Sequence, residues 1–346
     1  MKRPSLFLKF IPLLLILALT ACAGTADGGS SPSSSDTVSG ITSSVSVSGF
    51  EDYPASRPSQ EESYKDTNLI IMSDVHLCTQ VWYGVDSDTR MKYMIEDLNE
   101  YYKTEKYSSV FLLGDLSLDH WLHNEGGSWL NSKTSNTKNL IEKYLSKLDC
   151  GDFKMIPGNH EQYSNAQWKE ITGYDRQYYV YTGGYLFIML DNFQGELNPN
   201  YHHDGKYTQT DVNFIKLIMS LYPDAPVVLC AHWFDTENES EAFKSLVRNE
   251  ERILCMFVGH DHTTVTVTLD EEWGGKKVIH NGNFSYTSAD INQPQNKWGW
   301  RRLRLTRDGI DVAYYSPSNS YEIKGNWITS VAAEYDQTFI KNPLAK

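Results

Sequence analysis

Five short polar blocks in this 346-residue chain carry the side chains best suited to hold metal ions. They are Asp74-Val75-His76, Gly114-Asp115, Gly158-Asn159-His160-Glu161, Ala231-His232 and Gly259-His260-Asp261-His262. Their donors are carboxylate oxygens, imidazole nitrogens and one amide oxygen. Such a set suits Mn, Fe, Zn or Co better than a metal that needs thiolates alone. Asp74 and His76 are two residues apart, so a short extended segment presents both on one side. A carboxylate such as Asp115 can bridge two ions about 3.5–4 Å apart, the spacing found in two-metal hydrolases. A lone histidine is usually a satisfied core or surface side chain. A whole set is different, because burying it without metal would leave each group unpaired at roughly several kcal/mol.

Each block follows an apolar run of strand length. NLIIMS (68–73) precedes Asp74, SVFLL (109–113) precedes Gly114, FKMI (153–156) precedes Pro157, PVVLC (226–230) precedes Ala231, and ILCMFV (253–258) precedes Gly259. Ligands bind at the carboxyl ends of strands in open α/β sheets. Gly114, Gly158 and Gly259 stand immediately before the first polar residue of three blocks, where glycine allows a sharp turn and a close backbone approach. Between the runs, Asp88 to Tyr102, Lys138 to Leu148, Thr210 to Leu221 and Ser240 to Val247 have helical patterns. YYVYTGGYLFIML (178–190) reads as a hairpin turning at Gly183-Gly184. The later chain is strand-rich: TVTVTL (264–269), KKVIH (276–280), WRRLRL (300–305) and GIDVAYY (309–315). Residues past Tyr321 are expected to wrap the domain surface. An alternating α/β half followed by a β-rich half predicts two packed sheets with helices outside.

The ordered set DVH…GD…GNHE…AH…GHDH resembles the calcineurin-like metallophosphoesterase superfamily, from about Asn68 to Thr264. The resemblance implies an α/β layered fold, two packed mixed β-sheets flanked by helices, and two divalent transition metal ions. Carried over by position, Asp74, His76 and His262 hold one metal, Asn159, His232 and His260 hold the other, and Asp115 bridges them. His160 matches the family's non-ligand histidine, which assists the leaving group or stabilises charge. Asp261 fills a variable place and receives no role. Purple acid phosphatases, within the same superfamily, use a tyrosinate soon after Gly-Asp; here Leu116-Ser117-Leu118 follows, so such a ferric site is not expected.

The implied activity is hydrolysis of a small phosphoric ester, with a diester favoured. A monoester carries nearly two charges and is commonly gripped by an arginine fork. Arg90, Arg176 and Arg248 stand well away from the blocks in sequence, whereas Trp82, Tyr83, Trp121 and Trp129 lie near Asp74 and Asp115. Trp82 and Trp121 are the expected substrate contacts, stacking on the second group of a diester. His120, His123, Tyr201-His202-His203 and Trp233-Phe234 belong to the same rim, each equally readable as loop packing; His280 reads as structural. The alternatives are a phosphomonoesterase or nucleotidase on the same site, or an inactive lipid-anchored binding protein. The last is disfavoured, since no ligand position is substituted and His160 is present.

Charge and termini bound the setting. The formal net charge of -13 disfavours nucleic-acid polymers and anionic surfaces as partners. Residues 1–21 have a basic start and an apolar run, the layout of a secretory signal. Leu19-Thr20-Ala21-Cys22 resembles a lipobox, which implies lipid on the Cys22 thiol and a bacterial lipoprotein held at the extracytoplasmic face of the cell membrane. Residues 22–66 read as a Ser/Gly-rich tether and 67–346 as the catalytic domain. Of the remaining cysteines, Cys78, Cys150, Cys230 and Cys255, the last two sit within apolar runs and are expected as buried thiols.

Overall fold

A computed structural model describes residues 64–79, 81–82, 85–120, 135–194, 205–285, 298–315, 321–323, 326–328 and 335–345. All belong to the unit Ser56–Lys346. The expected signal, Cys22 and residues 22–63 of the expected tether lie outside the described residues; Tyr64, near the tether's end, packs against Tyr185.

Twelve strands form two six-stranded sheets. The strands are β1 (Thr67–Met72), β2 (Val110–Leu113), β3 (Phe153–Ile156), β4 (Tyr178–Thr182), β5 (Tyr185–Met189), β6 (Val227–Cys230), β7 (Ile253–Val258), β8 (Thr266–Thr268), β9 (Lys277–His280), β10 (Trp300–Leu305), β11 (Gly309–Tyr315) and β12 (Tyr335–Lys341). The first sheet has the order β12-β11-β10-β1-β2-β3, and the second β8-β9-β7-β6-β5-β4. β1, β2 and β3 run parallel, as do β5, β6, β7 and β9. Antiparallel strands complete both sheets, so each is mixed.

The near-continuous apolar runs follow from burial on both faces. Along β1, Leu69 and Ile71 point into the core between the sheets, with Phe111, Phe187, Val228 and Phe257. Ile70 and Met72 point the other way, into an outer core with Met91, Met94 and Trp168. The second sheet repeats this, with Leu229 and Met256 covered by Ile215, Ile218 and Phe243. Helices therefore coat both outer faces: α1 (Ser87–Thr104), the irregular turns carrying Leu140, Tyr144 and Leu145 that follow α2 (Asn136–Asn139), and α3 (Asn165–Thr172) on the first sheet, α4 (Val212–Leu221) and α5 (Glu241–Asn249) on the second. This is the layered α/β fold of two mixed sheets that the patterns predicted.

Several details differ from expectation. The 138–148 helix is irregular: one α turn, a π stretch over Leu140–Tyr144 and a 3-10 turn at Leu145–Lys147. The 210–221 helix begins at Val212, because Asp211 caps it. The α3 helix was not predicted, although Ser164 and Gln167 form a capping box. Tyr335–Lys341 does not merely wrap the surface; it pairs with β11 as an edge strand. The 178–190 hairpin forms as predicted, with Gly183 and Gly184 at φ 58° and 83°. Cys78, Cys150, Cys230 and Cys255 are all free thiols, Cys230 and Cys255 buried.

Candidate metal centre

The five blocks meet at the carboxyl ends of β1, β2, β3, β6 and β7. Asp74 Oδ1 lies 3.2 Å from His262 Nε2 and 3.7 Å from His76 Nε2. Asp115 Oδ2 lies 3.3 Å from His76 Nε2 and 3.2 Å from His232 Nε2. Asn159 Oδ1 lies 3.0 Å from His232 Nε2 and 2.9 Å from His260 Nδ1. Asp115 thus stands between an Asp74-His76-His262 group and an Asn159-His232-His260 group. His160 Nε2 is 3.5 Å from the same Asp115 oxygen. Three sets can each enclose an ion, with donor atoms within 4.8 Å of one another: Asp74-His76-His262, Asp115-His232-His260 and His76-Asp115-His160.

The residues fit divalent cations. Asp74 Oδ1 is buried and accepts no hydrogen bond, although two imidazoles face it. Burial alone would raise both carboxyls; His262 lowers Asp74, and His160 with His232 holds Asp115 well below the usual carboxylate range. Two buried carboxylates need positive charge nearby. The protein alone supplies it as protons on His232 and His262: burial disfavours both, but Asp115 outweighs burial at His232 and raises its pKa to about 10, and Asp74 outweighs burial at His262 and raises its pKa as well. Burial instead holds His76 neutral, with its pKa pushed down to about 4. His232 Nδ1 donates to the Leu113 carbonyl at 2.7 Å, which turns Nε2 toward Asp115 and Asn159.

Backbone geometry explains the glycines. Asp74, His76, Asp115, His260 and His262 all have positive φ, between 45° and 69°. Each such non-glycine conformation costs about 1–3 kcal/mol and persists only where its surroundings enforce it. The enforcement is visible. His260 N–H donates to Asp74 Oδ2 at 3.0 Å, and His160 N–H to Asp115 Oδ1 at 3.0 Å. A Cβ at Gly114 would stand 2.6 Å from His232 Nδ1, one at Gly259 2.5 Å from Asp74 Oδ2, and one at Gly158 would collide with the Asp115 carboxylate.

Three supports escaped the sequence reading. Arg90 donates to the carbonyls of Val75, His76 and Phe284, pinning the first block from α1. Glu161 accepts from Ser117 N–H at 2.8 Å and Gly158 N–H at 2.9 Å, tying the second block to the third. Burial, with Asp115 nearby, raises its pKa to about 8. Asn281-Gly282-Asn283-Phe284-Ser285, after β9, acts as a sixth block. Phe284 N–H donates to Asp74 O at 3.1 Å and Gly282 N–H to Thr263 O at 2.7 Å. Its signal was the position of Asn-Gly-Asn after the KKVIH run.

The expected recognition wall is only partly described. Trp121, His123, Trp129, Tyr83 and Tyr201-His202-His203 lie outside the described residues, and Trp82 is described only as part of a two-residue strand. Trp233 is half-buried at the rim, its ring 5.3 Å from His260 and 5.9 Å from His280. Phe234 is buried against Phe243 and belongs to the core. His120 is buried against Tyr163. His280 Nδ1 stands 2.8 Å from Asp261, which links both to the last block.

A model of the calcineurin-like phosphoesterases matches residues 67–264. No curated protein matches the chain. Among solved structures, a purple acid phosphatase from yellow lupin (Lupinus luteus) seeds is 14% identical, with 81% of this chain and 54% of that chain covered and a TM-score of 0.48. PhoD is 12% identical, with 75% and 67% covered and a TM-score of 0.49. A predicted phosphoesterase from Streptococcus pneumoniae TIGR4 is 13% identical, with 81% and 100% covered and a TM-score of 0.36.

Proposed function

The chain belongs to the calcineurin-like phosphoesterase family and is a metal-dependent phosphoester hydrolase; on that footing we propose that its substrate is a phosphodiester. The observation that carries this reading is how the nearby arginines are used. Arg176 directs its N–H groups at Asp191 and at the carbonyls of Glu161, Tyr163 and Phe193. Arg90 is likewise engaged, with Val75, His76, Phe284 and Ser87. Neither offers a fork to a dianionic phosphate. A singly charged diester needs less such help.

In this proposal Asp74, His76 and His262 hold one divalent ion, Asn159, His232 and His260 the other, and Asp115 both. Bound ions of this kind activate water and neutralise phosphoryl oxygens. The remaining work falls to the chain. His160 Nε2 lies 3.5 Å from Asp115 Oδ2, and its role in this proposal is to assist the departing alkoxide or stabilise the charge that develops on it. The Arg90 and Glu161 bonds keep the blocks in register, so the reacting groups meet without reorganisation. The test is kcat/KM on bis(p-nitrophenyl) phosphate against phenyl phosphate, corrected for leaving group. A higher value for the monoester overturns the diester reading.

The proposal also sets the enzyme outside the cytoplasm of a bacterium, anchored through lipid on Cys22, because lipobox and tether occur in the right order. Cys22→Ser is expected to move the protein from the detergent phase to the aqueous phase. An unchanged partition argues for ordinary cleavage.

A further inference from the structure

Both backbone polar atoms of His160 face side chains of one loop, the segment after β2. The His160 N–H donates to Asp115 Oδ1 at 3.0 Å. The His160 carbonyl oxygen lies 3.2 Å from His120 Nδ1, and the same Nδ1 is 3.2 Å from the backbone nitrogen of Gln162. Burial pushes the His120 pKa down to about 4, so the ring is neutral and carries one proton. With that proton on Nδ1 the ring donates to His160 O; with it on Nε2 the ring accepts from Gln162 N–H. Either tautomer holds the backbone beside His160 through the same atom. Nε2 is buried and has no hydrogen-bond partner among the described residues, so this side chain bonds through Nδ1.

His120 can hold a neighbour because its own loop is anchored. The adjacent Asp119 carboxylate is fully buried. It accepts from the backbone N–H and side-chain amide of Asn136 and from Ser135 Oγ at 2.8 to 3.0 Å, and from the hydroxyl of Tyr163. Tyr163 lies just past the third block, so this bond joins the two loops, and its ring packs edge-on against His120 with centroids 4.5 Å apart. The neighbouring ligand Asn159 is fixed separately. Its Oδ1 faces His232 and His260, and its carbonyl accepts from Gly205 N–H at 2.7 Å. The His120 contact therefore bears on His160 and not on the ligand beside it.

We infer that His120 is a positioning residue that acts through His160. Asp115 and His120 hold the chain on the two sides of the His160 Cα, which sets the direction from which the imidazole reaches the centre. Without His120 only the first hold remains, and the ring of His160 is free to drift from its place 3.5 Å from Asp115 Oδ2. A displacement of about 1 Å in a reacting group can lower a rate by up to about 100-fold. The inference rests on the role proposed above for His160 at the departing alkoxide, and it adds the residue that keeps that imidazole in place.

The experiment is a double-mutant cycle in the full metal-loaded protein, with His120→Leu, His160→Ala and the two combined. It reads kcat on bis(p-nitrophenyl) phosphate and on diphenyl phosphate, whose leaving group is poorer, with metal content and Tm for each protein. The pair p-nitrophenyl phosphate and phenyl phosphate serves in parallel for monoesters. His120→Leu should lower kcat about 10–100-fold with metal content unchanged. In the His160→Ala background it should cost less than about twofold, because residues that act as one unit are not additive. Asparagine carries its amide at the level of Nδ1 and can donate or accept there. His120→Asn should therefore recover most of the kcat even though its smaller side chain leaves a cavity and lowers Tm. His120→Gln places the amide at the level of Nε2, so it should not recover kcat, and it takes the place of His120→Leu in the cycle if that variant does not fold. Additive losses in the double variant, metal lost together with activity, or kcat that follows Tm across the His120 variants overturn the positioning role. Equal losses from His160→Ala on the good and the poor leaving group, with the non-additivity retained, overturn the leaving-group role of His160 and leave the positioning by His120 standing.

Discussion

The backbone N–H of His260 donates to Asp74 Oδ2 at 3.0 Å, so the last block hangs from the first across 186 residues of sequence. The bond leaves Oδ1 as the oxygen facing His262 and His76. One carboxylate thus does two jobs: one oxygen fixes a strained loop, and the other is open to a cation.

Gly259 permits that contact, because a Cβ there would stand 2.5 Å from Asp74 Oδ2 and from Ser73 Oγ. Gly259→Ala is therefore expected to weaken metal binding by about 10–100-fold, the range for groups that orient ligands. Gly151→Ala is the control. Its φ is +70° but nothing lies within 4 Å of the added carbon, so it should lower Tm slightly and leave metal affinity alone. Calorimetric titration with Mn checks both. Equal metal affinities in the two variants would remove the significance given to the Gly259–Asp74 approach.

Asp115 faces both candidate groups through one oxygen, Oδ2. Asp115→Asn should therefore deplete both ions, not one, and reduce kcat/KM by more than about 100-fold. Elemental analysis after dialysis gives the stoichiometry. A variant that keeps a full complement of metal and normal turnover is incompatible with a bridging role.

His160 is close to Asp115 but completes neither ligand group in the proposed assignment. Its replacement by alanine should lower kcat by about 10²–10⁴ while the metal content holds. The competing possibility is specific: His160 can also join His76 and Asp115 around an ion. Metal lost together with activity would identify it as a ligand.

That the five polar blocks meet in one place was legible because the chemistry allows few residue types and the fold allows few places. Asp74 and His232, for example, follow runs whose only other role is to be buried. The supports were harder to see for physical reasons. Arg90 lies inside a good helical pattern, and nothing local says that its guanidinium turns inward to carbonyls. Phe284 and Gly282 act through backbone N–H groups, which every residue but proline possesses. The β12 strand depends on pairing with a distant partner, so its local sequence under-determines it. Arg176 shows the same limit from the other side: it stands well away from the blocks in sequence, yet it donates to the carbonyl of Glu161 in the third block and to Asp191, Tyr163 and Phe193.

Metal uptake should release protons, with His232 the main source and His262, whose pKa Asp74 also raises, a second. In the metal-free protein burial opposes a charge on this ring, but Asp115 outweighs it and lifts the pKa to about 10. Below that pH His232 is protonated. Nε2, 3.2 Å from Asp115 and 3.0 Å from Asn159, must lose its proton before it can bind a cation. The sign follows: metal affinity rises with pH up to about 10 and falls as protons compete below it. Each linked proton gives at most about a tenfold change per pH unit. His76 adds little over this range, because burial keeps it neutral down to about pH 4. Calorimetry at pH 7.5 in buffers of different ionisation enthalpy counts the protons directly. His232→Gln should bind metal more weakly and abolish most of the proton release. Uptake by the parent protein without proton release would mean that the two buried carboxylates obtain their positive charge elsewhere.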